Sequence, residues 1–323
     1  MTLKRQLLLV NKMFLSRYAP VGGQAVIEGV MMRSPRTVAT AVQRSSGEII
    51  LESAPFRSIT KRVKLLGIPV VRGMAGLVET LVLGMRSLAF SANEAAKDEE
   101  AKSGGADREG KEEGGISNWS LGLTMALALG LGLLLFFYLP LKLTEWTGVQ
   151  GRIGFNLVDG AFRLVFFLAY LWGISRWGEM RRLFQYHGAE HKVIHTFEAG
   201  LPITPEEAAP FTTLHPRCGT SFLFSLMILS IVVFTFFGRP ETAGERLLRF
   251  AGVPFIAGLG FEYIRLSGRF AHNPLVNMLA QPGPWLQRLT TQEPDRAQLA
   301  VACRALESVL PLTEEDEQEV RVM

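Results

Sequence analysis

The sequence predicts an α-helical polytopic membrane protein of about four spans, with a small N-terminal α+β cytoplasmic domain. Three observations predict it. Of 323 residues, 48% are hydrophobic and 20% charged, a mixture too apolar for an ordinary soluble enzyme and too charged to lie wholly in lipid. Apolar runs long enough to cross a bilayer, at about 20 residues each, recur after position 117. Short β-type runs and a charged, glycine-rich stretch come before them.

The N-terminus, MTLKRQLLLVNKMF, carries positive charge but only a short apolar run, so no cleavable signal peptide is expected. Residues 1–66 form the β-rich cytoplasmic domain. Gln24 to Met32, Thr37 to Gln43 and Glu48 to Ser53 are β-type runs, separated at Ser34-Pro35 and Ser45-Ser46-Gly47, which predicts a small antiparallel sheet. Residues 67–93 follow as an amphipathic or membrane-interface helix. Pro69 suits its first turn, and Arg72, Glu79 and Arg86, seven apart, share one face. A fifth span is the alternative, opposed by that charge stripe. Residues 94–117 form an acidic linker; within it DEEAKSGGADREGKEEGG, Asp98 to Gly115, has nothing to bury and is expected to be flexible.

The spans are expected at 118–141, 155–175, 218–238 and 247–266. The first and third are free of charge, whereas the second carries Asp159 and Arg163, and the fourth Arg249, Glu262 and Arg265. Asp159 and Arg163, four apart, read either as a salt-linked pair or as part of a transport path. Between spans two and three, residues 176–217 form a histidine-rich helical loop with Arg176, Arg181, Arg182, Lys192 and Arg217; only Lys142 and Arg152 lie between spans one and two. That bias puts the loop and both termini in the cytoplasm. In the cytoplasmic C-terminal region, 267–323, Pro294 to Leu310 is an amphipathic helix with Leu299, Ala302, Leu306 and Val309 on one side.

Lys and Arg number 34 against 30 Asp and Glu, so no field is available to hold a nucleic acid. The partners expected are the lipid bilayer and, left open, further copies in a homo-oligomer. Cys218 and Cys303, the two cysteines, lie far apart, which excludes a disulfide framework and a four-cysteine zinc site.

Four of five histidines fall between 187 and 215. His187, His191 and His195 lie at intervals of four on a helix that stops at Gly200. Thr204-Pro205-Glu206-Glu207 then starts a short helix leading to His215 and Cys218. His187-Gly188-Ala189-Glu190-His191 matches H-x-x-E-H, in which two histidines one turn apart bind a divalent ion and the glutamate acts as a base on water. Zinc suits these donors best, with manganese or iron as alternatives. His187 and His195 are about 12 Å apart along a straight helix and cannot share an ion, so His191 is the pivot. Paired with His187 it makes Glu190 the catalytic base, with Glu28 or His215 completing the shell; paired with His195 it favours His215 and Cys218. Hydrogen bonds to Glu190 and Glu198, without metal, are the plain alternative. Gly22 to Gly29 is a turn into a strand, since no lysine follows the glycines; Glu28, if inward, is a further ligand or base.

GGQAVIEGVMMRSP (Gly22 to Pro35), YHGAEHKVIHTFEAG (Tyr186 to Gly200), LHPRCGTSF (Leu214 to Phe222) and QRLTTQEPD (Gln287 to Asp295) closely resemble the YqhQ-like bacterial membrane proteins, a family of unknown function described as predicted metal-dependent enzymes. The resemblance implies a multi-span bacterial inner-membrane protein and points to His187, Glu190, His191, His195, His215, Arg217 and Cys218. Thr196 stands where many relatives are expected to have cysteine, which weakens any role for a thiol at that position. Three functions remain: a metal-dependent enzyme, hydrolase or group transferase, acting on a lipid-linked or membrane-delivered substrate; a membrane scaffold or regulator; and a small transporter using Asp159, Arg163 and Glu262.

Overall fold

The computed structural model describes residues 21–102, 118–215, 218–269 and 282–310. Its N-terminal part is an antiparallel meander, β1 (Gly22–Val26), β2 (Gly29–Arg33), β3 (Thr37–Gln43) and β4 (Ile49–Pro55), in that spatial order. The single run expected over Gln24 to Met32 is two strands, because the chain reverses at Ile27 and Glu28, with Val26 opposite Gly29. Glu28 turns there at φ +52°, a left-handed conformation uncommon outside glycine, so its side chain gives no warning of the turn.

The central strands, β2 and β3, are buried on both faces of the sheet. Val30, Met32, Ala39 and Ala41 point to one side and Val26, Met31 and Val42 to the other, each set within its own apolar core. This is why the strands read as nearly continuous apolar runs rather than alternating ones. A turn of helix, α1 (Ile59–Arg62), leads from β4 to α2 (Val71–Lys102), which covers the second face. Thr40 Oγ1 donates to Ser87 Oγ at 2.9 Å, Arg44 pairs with Glu94 at 2.5 Å, and Gly84 leaves room for the Gln24 amide. Asp98 accepts from the Ser45 N–H, so the start of the expected flexible stretch is helical as far as Lys102. The rest of that stretch lies outside the described residues, as does the N-terminal segment read for a signal peptide.

Among the described residues, four helices are long and apolar enough to cross a membrane: Val71–Lys102, Gly122–Trp146, Arg152–Ile174 and Gly219–Phe237. The second is α3, which runs through Asn118–Leu133, a π turn at Leu134–Tyr138 and Leu139–Trp146. The π turn ends two residues before Pro140, whose missing N–H disturbs the ladder. The third is α4 (Arg152–Ile174). It continues, after a break at Trp177, into α5 (Gly178–Glu198); the short α6 (Pro205–Ala208) leads back to the fourth, α7 (Gly219–Phe237).

The stretch expected as the last span is divided. A Thr242 and Glu245 capping box starts α8 (Ala243–Ala251), and Pro254, which cannot continue a helix at its interior, sits in the first turn of α9 (Val253–Arg269). The first turns of α2 lie on α9: Gly73 meets Phe261 and the Gly258 backbone, and the Arg72 guanidinium grips Glu262, the contacting atoms being 2.7 and 2.5 Å apart. Glu262 and one member of the charge stripe thus neutralise each other.

Asp159 and Arg163 do form a buried ion pair, 2.9 Å between charged atoms. Arg249 joins it, 3.9 Å from the same carboxylate oxygen and donating to Asn156 Oδ1 at 3.0 Å. α10 (Pro282–Thr290) packs on α7, and α11 (Arg296–Val309) lies on β2, β3 and α5. Asp295 and Gln298 cap α11 reciprocally, and Leu299, Ala302, Leu306 and Val309 are all buried in the core shared with the sheet.

Candidate metal centre

The three helical histidines project from α5, and each is held by a backbone carbonyl, two from the consecutive residues Thr213 and Leu214 and one from Thr290. His187 Nδ1 lies 2.8 Å from Thr290 O, His191 Nδ1 2.5 Å from Thr213 O, and His195 Nε2 2.9 Å from Leu214 O. A carbonyl only accepts, so in each neutral ring the proton sits on that nitrogen and the lone pair is on the other. This is the arrangement of metal-ligating histidines, whose second nitrogen is tied to a carbonyl or carboxylate.

Local sequence explains why these carbonyls are in reach. Gly188 allows the backbone at Gln292 to run against α5, where a Cβ would stand 2.1 Å from the Gln292 carbonyl oxygen, and Gln292 N–H donates to Phe184 O at 2.9 Å. The buried Lys192 ammonium fixes the returning loop by donating to Ala209 O at 2.7 Å, and Glu293 accepts from it as well. Gln287 clamps His215 through both backbone groups, at 2.8 and 2.7 Å, and also donates to Ser221 Oγ.

Two sets of donors result. His187, His191 and Cys218 form the first, with ligand atoms all within 4.8 Å of one another and His187 Nε2 3.1 Å from Cys218 Sγ. His195, Glu198 and His215 form the second on the same criterion; His215 Nε2 is 3.4 Å from Glu198 Oε2. The sets adjoin, since the His191 and His215 rings are 5.6 Å apart. His187 and His195 fall in different sets, as the helical rise requires. His215 sits with His195, whereas Cys218 sits with the His187 and His191 pair, a combination not foreseen from spacing.

Glu190 faces the sheet. It accepts from the Gly23 N–H, and burial pushes its carboxyl up to about 7. Its Oε2 is buried with no hydrogen-bond partner. Burial likewise lowers His191 and pushes His215 down to about 4, so both rings are neutral at pH 7 and available as ligands. The structure does not bring Glu28 to either set: its carboxylate is held by Arg182 and, at 3.4 Å, by the Tyr186 hydroxyl, because the tight turn aims it along α5 away from the imidazoles. Arg217 lies outside the described residues. Sequence reasoning missed Glu198 as a member of a set and Gln287 and Thr290 as supports. The last two lie within the QRLTTQEPD motif, the only signal that pointed to them; the carbonyls of Thr213 and Leu214 leave no trace in side-chain identity.

The fold and site define a polytopic helical membrane protein with a small sheet domain whose core is shared with a histidine-bearing helix. The chain belongs to the family described as Protein of unknown function (DUF1385), which matches residues 68–312. It is 33% identical over 304 residues to "Uncharacterized protein YqhQ" of Bacillus subtilis (strain 168), covering 92% of this chain and 94% of that protein. No solved structure matches it.

Proposed function

We propose that the protein is a metal-dependent enzyme of the bacterial cytoplasmic membrane, with both termini in the cytoplasm and a divalent ion, zinc in the first instance, held by His187 Nε2, His191 Nε2 and Cys218 Sγ. The observation that carries this reading is the pair of Nδ1 contacts to Thr290 O and Thr213 O, which leaves both Nε2 lone pairs turned toward the cysteine. Two imidazoles and a thiolate suit zinc. The donor set also fits a catalytic site rather than a closed structural one, since the described residues supply three ligands, and the fourth position is the one a catalytic ion keeps open.

A divalent ion there supplies Lewis acidity to a substrate or water oxygen. Glu190, buried beside His187 and Cys218 with its carboxyl near 7, takes or gives a proton at Oε2 close to neutral pH. Thr290 O and Thr213 O keep the two rings in the ligating tautomer. Cys218 caps the N-terminus of α7, which supports a site at the membrane surface, where a lipid-linked or membrane-delivered substrate would present its polar end. Hydrolysis or group transfer is the reaction class.

The test is metal analysis of detergent-purified protein after loading with zinc, manganese or iron. One ion per chain bound at this site should be lost in His191→Ala and retained in Glu190→Gln. No stoichiometric metal in the wild type, or full retention in a folded His191→Ala protein, would overturn the reading and favour a scaffold.

A further inference from the structure

A cavity of about 690 Å³ lies between β3, β4 and α2, lined in its apolar part by Val38, Ala54, Phe56, Ala75, Val78 and Leu83. It is on the opposite face of the sheet from the histidines, so nothing about it depends on the metal centre. Arg57, Arg62 and Arg86 also line it. All three are exposed, and among the described residues no ion pair or hydrogen bond engages their guanidiniums. Of the two carboxylates in the lining, Glu79 is occupied by the Ser58 hydroxyl at 2.8 Å and by the Ile59 N–H. Glu52 is on the outer strand. Three arginines against two carboxylates leave the lining net positive.

The surface beside the cavity is apolar. Ile59, Val63, Leu65 and Ile68 on the segment entering α2, and Leu81 and Val82 on α2 itself, are all exposed, Leu65 by 69%. Such a strip next to free basic side chains belongs in the headgroup layer of an anionic bilayer. The grip of Arg72 on Glu262 and the seat of Gly73 on Gly258 hold this end of α2 against α9, which places the strip at the edge of the helical bundle.

We infer that the cavity binds one anionic phospholipid, with an acyl chain among Val38, Phe56, Ala75 and Val78 and the phosphate on Arg57, Arg62 and Arg86. The volume is that of a small-molecule site, which runs from about 300 to 1,000 Å³. A guanidinium presents paired N–H donors that match phosphate oxygens, and an unpaired one has no existing ion pair to break. A soluble anion would use the arginines but not the apolar lining, and a neutral lipid the reverse.

Delipidated full-length protein in dodecyl maltoside, examined by native mass spectrometry, tests this with dioleoyl phosphatidylglycerol, dioleoyl phosphatidylcholine and inorganic phosphate as probes. Phosphatidylglycerol should bind at least tenfold more tightly than phosphatidylcholine, with one high-affinity copy per chain. The combined variant Arg57→Gln, Arg62→Gln and Arg86→Gln, altered only at exposed positions, should lose that preference fivefold or more. Ala75→Trp, which fills the cavity, should exclude the lipid. Equal retention of the two lipids by the wild type, unchanged phosphatidylglycerol binding in both variants, or displacement of the lipid by inorganic phosphate at millimolar concentration would each overturn the assignment.

Discussion

His187 Nε2 and Cys218 Sγ stand 3.1 Å apart across 31 positions of sequence. The turn of helix on which His187 is carried packs with the sheet and α11, and Cys218 caps a helix long and apolar enough to cross a membrane. The contact therefore joins the part of the chain built on the sheet to the apolar helices.

Replacing either side of that contact should weaken metal binding selectively. Cys218→Ser exchanges a thiolate for a poor ligand and should lower zinc affinity at least tenfold in competition with a chromogenic chelator. His195→Ala, in the neighbouring set, should leave the ion at His187, His191 and Cys218 in place. Equal losses in the two variants would mean that the sets do not act separately.

The pH dependence of stability in the metal-free protein has a definite sign. Glu190 is raised from 4.5 to about 7, so between these values the native state holds a proton that the unfolded state has lost, and stability falls as pH rises, by up to about 3 kcal/mol. His215 is lowered from 6.5 to about 4. Unfolding takes up its proton in that window, and stability falls as pH drops, by a similar amount. The two contributions oppose each other from about 4.5 to 6.5. With chelator present, Glu190→Gln should therefore show a melting temperature that rises with pH over this range, steeper than wild type. A slope unchanged from wild type would remove Glu190 as the buried acid.

Gly188→Ala should destabilise the protein by more than about 2 kcal/mol, because its methyl group would meet the Gln292 carbonyl at 2.1 Å and that neighbour is backbone. Thermal melts in detergent, with Gly130→Ala as a control where no atom lies within 4 Å, measure it. A loss no larger than the control's would show that the 291–295 segment shifts freely.

Asp159→Asn should be among the most damaging changes in the apolar helices. It leaves Arg163 and Arg249, both buried, without their shared carboxylate, a type of break that costs about 3–5 kcal/mol. Replacing all three residues by leucine should recover much of the loss. Failure of the triple variant to outperform Asp159→Asn would favour a functional need for the charges, and the transporter reading with it.

Membrane orientation is open to direct labelling. Cysteine at Gln150 should react with an impermeant maleimide applied to intact cells, and cysteine at Ser46 only after the membrane is opened. The reverse pattern would invert the topology and place the histidines outside.

The class of fold was legible because it depends on bulk properties: long apolar runs and a few β-type segments. The amphipathic face of α11 was legible for the same reason, since helical spacing alone identifies Leu299, Ala302, Leu306 and Val309. The β1–β2 reversal was not, because Glu28 takes a left-handed turn that its side chain does not advertise. Nor was the division of the last apolar stretch read from Gly252 and Pro254, although both residues are breakers. At the site, the separation of His187 from His195 followed from helical rise. The joining of Cys218 to His187 and His191 required knowing how the chain returns from Gly200, and that path is set by Lys192, Gln287 and backbone carbonyls far away in sequence.

One face of the sheet, Val30, Met32, Ala39 and Ala41, is closed by α11, so the order of synthesis separates the two halves of this core. The ribosome reaches residue 296 only 253 residues after residue 43, which at about 5–20 residues per second is roughly 13–50 s. Throughout that interval the part of this face over β2 and β3 that α11 covers stays open, α5 arriving earlier to pack chiefly on β1. A nascent chain arrested before position 296 should therefore hold an unfinished sheet domain, protease-sensitive and attractive to chaperones, and the late arrival of α11 makes maturation of this domain a late event.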